Sequence, residues 1–370
     1  MSLSNRPGAV AASGPDAGVA AHYGNPVLEQ RALERGIGVV DLSHLGVVTV
    51  TGPDRLSWLN TLSSQLIDLA PGAGTELLLL DPNGRIEHAA AVADDGQTAW
   101  LVTETAWAQP LADFLDSMRF MLRVEVELRS DVVVLGTSAE GPDLGALVPV
   151  EVALAPERSL GWTDAWPVTA PGSTRYGPAD EEHPGNDWHP RLHLVRREAV
   201  DQVVVSAEAA GARLAGAWAW EALRVAAWRP RLGREVDERT IPHELDWLRT
   251  AVHLNKGCYR GQETIARVFN LGRPPRRLVM LHLDGSEHTL PEAGEEVHLG
   301  ERVVGRVTTV VRHHELGPIA LAVIKRSIDP TAELTAGGVA AAQEIVVSPE
   351  GQGTGRPEPA TGPSLRRRTL

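Results

Sequence analysis

Cysteine is almost missing. Cys258 is the single thiol in 370 residues, so no internal disulfide can form, which suits a reducing compartment. Apolar runs are short too, and none approaches the roughly 20 residues of a membrane span. Met1 to Ala20 is small and polar, without the apolar core of a signal peptide. The expectation is a cytoplasmic chain with no membrane partner. Positive charge is in deficit, with 35 Lys and Arg against 48 Asp and Glu and a formal charge of −13. Such a surface repels phosphate backbones, so no direct nucleic-acid partner is expected. P-loop, G-x-G-x-x-G and C-x-x-C are all lacking, which leaves a nucleotide cofactor without sequence support. A lone cysteine cannot hold an iron–sulfur cluster that needs four protein ligands, although it could lend one ligand to a shared site. His313 and His314 would face opposite ways on a strand, so no stable metal site is expected.

What is present is an ordinary globular composition, 43% hydrophobic and 22% charged, long enough for about two or three domains. Residues 1–20 and 349–370, the latter including Arg366 to Arg368, are rich in Gly, Ala, Pro and Ser and read as disordered tails. Val47 to Val50 reads as a strand ended by Gly52. Pro53 then opens a helix with Leu56, Leu59, Leu62 and Leu66 on one side. Asp81-Pro82-Asn83-Gly84 and Asp94-Asp95-Gly96 read as hairpin turns between three strands. Leu111, Phe114, Leu115 and Met118 mark a helix face, and alternation around Val124, Val126 and Leu128 marks another strand. Residues 136–190 read as an irregular connection between lobes, and Ala217 to Trp228 as a helix. From Arg276 to about Val347, alternating strands with glycine turns predict a small β-barrel, and the mixture as a whole predicts an α+β architecture. Arg273, Arg276 and Arg277 form either a solvated turn or a local site for a small anion.

The cysteine sits in N-K-G-C-Y-R-G-Q-E-T-I-A-R, ahead of a predicted helix that buries Ile265 and Val268. Lys256, Arg260 and a helix N-terminus all favour thiolate, which makes Cys258 a candidate reactive thiol. Gly257 and Gly261 would allow a tight turn or close approach. The alternative is a buried cysteine acting as a small hydrophobe.

K-G-C-Y-R-G-Q-E (Lys256, Gly257, Cys258, Tyr259, Arg260, Gly261, Gln262, Glu263) resembles the signature of the YgfZ family. These are folate-binding proteins that support iron–sulfur enzymes, including one that modifies tRNA. V-V-T-V-T-G-P-D-R-L-S-W-L-N and W-E-A-L-R-V-A-A-W-R-P-R-L-G-R-E resemble segments shared with the aminomethyltransferase of glycine cleavage, the T-protein. The resemblance covers roughly residues 25 to 347. It implies a T-protein-like arrangement of two α+β lobes and the barrel around a tetrahydrofolate site, with iron–sulfur client or assembly proteins as partners. The lobes implied are residues 21–60 with 190–275, and 61–189, followed by a barrel over 276–348. Carried over by position, Trp220, Arg224 and Glu244 become the folate-binding candidates, Trp220 because an indole face stacks on a flat pterin. Leu45 stands where the family often has a second tryptophan. Ala226 stands where it has a glutamate that pairs with the pterin, which leaves that task to Glu221 or Glu244.

The T-protein needs an aspartate after its first hairpin turn; this chain has Glu87 and His88 in that strand. Two functions therefore stand open. One is a folate-binding accessory protein for iron–sulfur enzymes; the other is a folate-dependent one-carbon transferase or demethylase using Glu87 or His88. A pure interaction module with a structural Cys258 is a third.

Overall fold

The computed structural model describes residues 3–148, 154, 160–286 and 289–357. An antiparallel sheet with the order Gly74–Leu80, Ile86–Asp94, Thr98–Glu104, Leu45–Thr51, Glu125–Leu128 forms the first lobe. Both hairpins appear where their turn residues predict them. At the first, the Asp81 carboxylate accepts from the backbone N–H of Asn83 and Arg85, and Gly84 takes φ +76°. Helices Arg55–Leu62 and Thr105–Met118 cover one face, burying Leu59, Leu111 and Leu115 against Val48, Leu77 and Leu101. Each such side chain contributes about 1.5–3 kcal/mol by leaving water. Leu66 does not join that stripe: the helix ends at Leu62, and Leu66 is exposed.

The second sheet runs Gly161–Thr163, Pro190–Arg196, Val132–Ser138, Gly38–Asp41, Arg213–Ala215, antiparallel except for its last pair. All of Val132–Ser138 is buried, because helix Val200–Ala209 covers one face and helices Pro26–Glu34 and Ala217–Ala226 the other. Leu45–Thr51 thus pairs with the residues that follow it. The division between the lobes falls at 41/45 and 128/132 rather than at 60 and 189. Pairing along the sheet, not position in the chain, decides it. The expected connection over 136–190 also changes character. It supplies two strands of the sheet and, with Trp162, Asp164 and Trp188, part of a cavity wall.

The C-terminal part is a closed six-stranded barrel ordered Arg276–Leu283, Gly317–Lys325, Arg302–His313, Glu296–Leu299, Leu334–Ala336, Val339–Ile345. Val279, Leu281, Ala320 and Ala322 fill its interior, and the alternate residues Leu278, Met280, Ile319 and Leu321 face a core shared with both lobes. The arginine cluster is neither a solvated turn nor one site. Arg276 pairs with Asp237 and Glu244, while Arg277 is fully buried, donating to the Ile328 carbonyl and Gln343.

Both tails were expected to be unfolded, and residues 3–22 are not. They hold a short hairpin, Val10–Ala11 with Ala20–His22, anchored by Leu3 in the core and by Asp16. Asp16 is buried because it accepts from Arg231 at 2.6 Å and Arg234 at 2.5 Å, which compensates the loss of water. Residues 349–357 pack back as well, with Thr354 N–H bonding the Arg175 carbonyl; the rest of that segment, with Arg366 to Arg368, lies outside the described residues. Asp16→Ala should lower unfolding free energy by about 3 kcal/mol, the scale of removing one partner from a buried pair. Urea denaturation measures this, and a loss under 1 kcal/mol would mean the hairpin contributes nothing to the fold.

Candidate functional site

A cavity of about 160 Å³ lies between the two sheets and helix Ala217–Ala226. Small residues, Ala89 to Ala91, leave the space, and Trp162, Trp188, Trp220 and Trp247 wall it. Trp220 meets Trp188 edge to face, with ring centroids 5.2 Å apart and planes at 84°. Its indole also crosses Gly136, where a Cβ would lie only 2.7 Å from the ring, so a larger residue there would displace it.

Charges converge on the same space from separate elements. Arg229 donates to Asp164 at 2.8 Å and to Glu76 at 2.8 Å, and its guanidinium lies over the rings of Trp166 and Trp247. Glu76 Oε2 also accepts from the Trp247 indole, whereas its Oε1 has no hydrogen-bond partner among the described residues. Arg231 forks onto Glu104 and reaches Asp16 and Glu221; Arg224 joins Glu221, Glu235 and Thr309. Burial raises the Asp164 pKa, with Arg229 opposing it. Burial would raise Glu221 too, but Arg224, Arg231 and Arg234 outweigh it and hold the carboxylate well below its usual range.

Of the expected folate residues, Trp220 and Arg224 line this cavity, as do Leu45 and Glu221. Glu244 does not, because its carboxylate accepts from Arg276 and from the Ile241 N–H. Ala226 opens into a neighbouring groove of about 520 Å³ that shares only Trp188 with the cavity. Glu76, Asp164 and Arg229 were missed in the sequence. The arginine density of W-R-P-R-L-G-R was the one signal that could have drawn attention to them.

Glu87 and His88 stay outside the cavity. His88 packs on Phe114 with ring centroids 5.9 Å apart, and burial pushes its imidazole down to about 4. Glu87 pairs with Arg260 at 2.8 Å, both partly exposed.

In the cysteine segment the two flanking cations are engaged elsewhere. Lys256 Nζ donates to the carbonyls of Asn60, Ser63 and Gln65 at 2.5 to 2.8 Å, and lies 5.5 Å from the Tyr259 ring centre. Burial pushes it down to about 8, which leaves it mostly charged at neutral pH. It therefore clamps the loop after helix Arg55–Leu62. Gly261 takes φ +85° at the start of helix Gln262–Asn270, and a Cβ there would sit 2.6 Å from the Asp81 carbonyl. Gly257 has open space, Gln262 donates to the Lys256 carbonyl at 3.3 Å, and Glu263 lies in the first turn of the helix. Ile265 is buried there, with Phe269 rather than Val268 as its companion. Cys258 is exposed, which overturns the alternative of a buried hydrophobe. It borders an apolar cavity of about 440 Å³ with Leu62, Leu79, Phe114 and Met118.

His313 and His314 do not face apart. The strand ends at His313, so both rings turn toward Glu34, 4.7 Å from each other, and His314 Nε2 lies 2.7 Å from the carboxylate. These are the only residues among those described that form a three-ligand grouping. Their hydrogen bonds argue against a cation: His313 Nδ1 accepts from the N–H of Glu315 and Leu316, so the proton resides on the Nε2 that a metal would need.

Comparison with known proteins agrees with this geometry. Residues 21–142 match the GCVT N-terminal domain, and residues 276–352 match the glycine cleavage T-protein C-terminal barrel domain. It is similar to an aminomethyltransferase of Nostoc, 29% identical over 309 residues and covering 80% of this chain and 79% of that protein. It is also similar to a putative chloroplastic transferase of Arabidopsis thaliana, 27% identical over 303 residues, covering 79% of this chain and 66% of the plant protein. The crystal structure of glycine cleavage aminomethyltransferase T from Bartonella henselae superposes with a TM-score of 0.71 at 18% identity, covering 94% of this chain and 95% of that one. The fold is therefore T-protein-like: two α+β lobes with a C-terminal barrel. No helix among the described residues is long and apolar enough to cross a membrane.

Lys256→Met should cost about 3 kcal/mol in urea denaturation, because three carbonyls lose their shared ammonium donor; an unchanged midpoint would refute the clamp. Burial holds His88 neutral down to about pH 4, whereas the unfolded imidazole takes up its proton near 6.5. Its contribution is constant above 6.5 and turns destabilising as pH falls from 6.5 toward 4. His88→Asn should make the fall in stability over that window shallower, and parallel stability–pH curves would exclude His88 as a source.

Proposed function

We propose that this protein binds a reduced folate in the Trp220 cavity and supports iron–sulfur enzymes in the manner of the YgfZ family. The observation that carries the reading is the cavity itself. It offers aromatic faces for a pterin and a carboxylate oxygen, Glu76 Oε1, with no hydrogen-bond partner among the described residues. At about 160 Å³ it is smaller than the roughly 300–1,000 Å³ of sites that enclose a drug-sized ligand. It therefore takes the ring system and leaves the rest of the folate outside. Glu76 is the residue present to pair with the aminopyrimidinone N–H groups in place of the glutamate that Ala226 replaces.

An accessory role is favoured over one-carbon transfer because Glu87 and His88 face other partners than the cavity. An acid or base must reach the reacting atom before its pKa matters. Cys258, exposed beside an apolar cavity, is the group available for transient redox exchange or for offering one ligand to a cluster. Lacking any second cysteine, the chain must use a partner or a small molecule in such a reaction.

Reduced folate should quench tryptophan fluorescence, and calorimetry should show Trp220→Ala binding it about 1 kcal/mol more weakly, a stacking-sized loss. Glu76→Gln should weaken it further. Absence of binding by the wild type would end the folate reading. In a deletion strain, Cys258→Ala should bind folate normally and yet fail to restore iron–sulfur enzyme activity. Full restoration would reduce Cys258 to a bystander. Turnover of an aminomethyl-lipoyl substrate, abolished by Glu87→Gln, would instead promote the transferase reading.

A further inference from the structure

The outward face of the barrel carries an arrangement that the central cavity does not explain. Arg276 and Lys325 sit directly opposite each other on neighbouring antiparallel strands, and Arg306 on the next strand is opposite Val323, two residues from Lys325. Pleat alternation puts all three on one face, because Leu278, Met280, Leu321 and Val323 of the same parity pack into the core between the barrel and the lobes. Like charges directly across a ladder, as Arg276 and Lys325 are, repel each other, and a nearby anion offsets that repulsion. For Arg276 that compensation is internal, through Asp237 and Glu244. For the other two it is not. Among the described residues Lys325 Nζ reaches only the Val303 carbonyl, at 3.0 Å. The Arg306 side chain forms no hydrogen bond or ion pair among the described residues. Glu296 is the cross-strand neighbour of Arg306, and its carboxylate lies instead 3.3 Å from His298.

These residues border a groove of about 750 Å³, flanked on its other side by the segment 233–239. Two further arginines enter it from that side. Arg239 has a 3.6 Å contact with the exposed Glu238, whereas Arg234 is held by Asp16 at 2.5 Å with its Nε 3.9 Å from Glu221. In a chain of net charge −13, Arg306 and Lys325 thus bring two cations without a carboxylate partner among the described residues into one concave space, which Glu235, Asp237 and Glu296 also line.

We propose that this groove is a second ligand site, for a small polyanion bearing two or more carboxylates or phosphates, with Arg306, Lys325 and Arg239 as its pairing residues. The site is independent of folate in the Trp220 cavity: segment 233–239 lines this groove, and residues 229–232 line the other.

Two probes separate the sources of that chemistry, tri-γ-glutamate for carboxylates and inorganic tripolyphosphate for phosphates, titrated into the full chain by calorimetry. At least one should bind, and Arg306→Ala with Lys325→Ala should weaken it at least ten-fold. Both positions are exposed, so the double variant should keep the wild-type thermal midpoint. Arg302→Ala with Arg312→Ala removes the same charge from exposed barrel positions outside the groove and should leave binding unchanged. Binding of one probe alone assigns the site to carboxylates or to phosphates, and binding of both assigns it to polyanions generally. Failure of both probes to bind, or an equal loss in the control pair, would overturn the proposal. Loss of folate binding would not bear on it.

Discussion

The structure is organised by one set of buried charges, the arginines in the last turn of the central helix and just after it. Arg224, Arg229 and Arg231 reach Glu76 and Glu104 in the first lobe, Asp164 and Glu221 in the second, Asp16 in the N-terminal hairpin and Thr309 in the barrel. None of these charges can be left alone, because a buried ion without its partner costs several kcal/mol. Each element that supplies a carboxylate is thereby held at one distance from the same helix. Apolar contact alone would tolerate sliding; forked guanidinium–carboxylate pairs tolerate very little. The cavity walled by Trp220 exists at the place where these pairs hold the lobes to the helix.

The cysteine signature works in two ways that its sequence merges. Lys256, Tyr259 and Gly261 join the segment to the first lobe through a carbonyl clamp, a buried ring and a close backbone approach to the Asp81 turn. Cys258 has no such task and is exposed. The motif thus fixes a thiol at a defined surface position while its cations serve the fold. A reactive role for that thiol has to rest on access and on the helix behind it, rather than on an adjacent ammonium.

Overall acidity coexists with concave positive charge. The buried arginines Arg224, Arg229 and Arg231 are matched by carboxylates, whereas Arg306 and Lys325 on the barrel face have no carboxylate partner among the described residues. Net charge is therefore a guide to long-range repulsion and a poor guide to any single groove.

Periodicity and turn chemistry were enough to read the two hairpins, the helices at 105–118 and 217–226, and the C-terminal barrel. Those signals are local, being decided by residues within a few positions of one another. The resemblance in K-G-C-Y-R-G-Q-E and in the central helix pointed to the overall arrangement, and it brought Trp220 and Arg224 to the cavity. Tertiary structure alone decided the rest. Glu244 reads as a free carboxylate until Arg276, 32 residues later, is seen to take it. Ala226 reads as a gap in the pterin site until the helix turns it toward another groove. Asp16 sits in a stretch that looks unfoldable until two arginines more than 200 residues away neutralise it. The physical reason is the same each time. A charge or a side-chain direction acquires its meaning from partners that the chain brings together only on folding, and no local pattern encodes them.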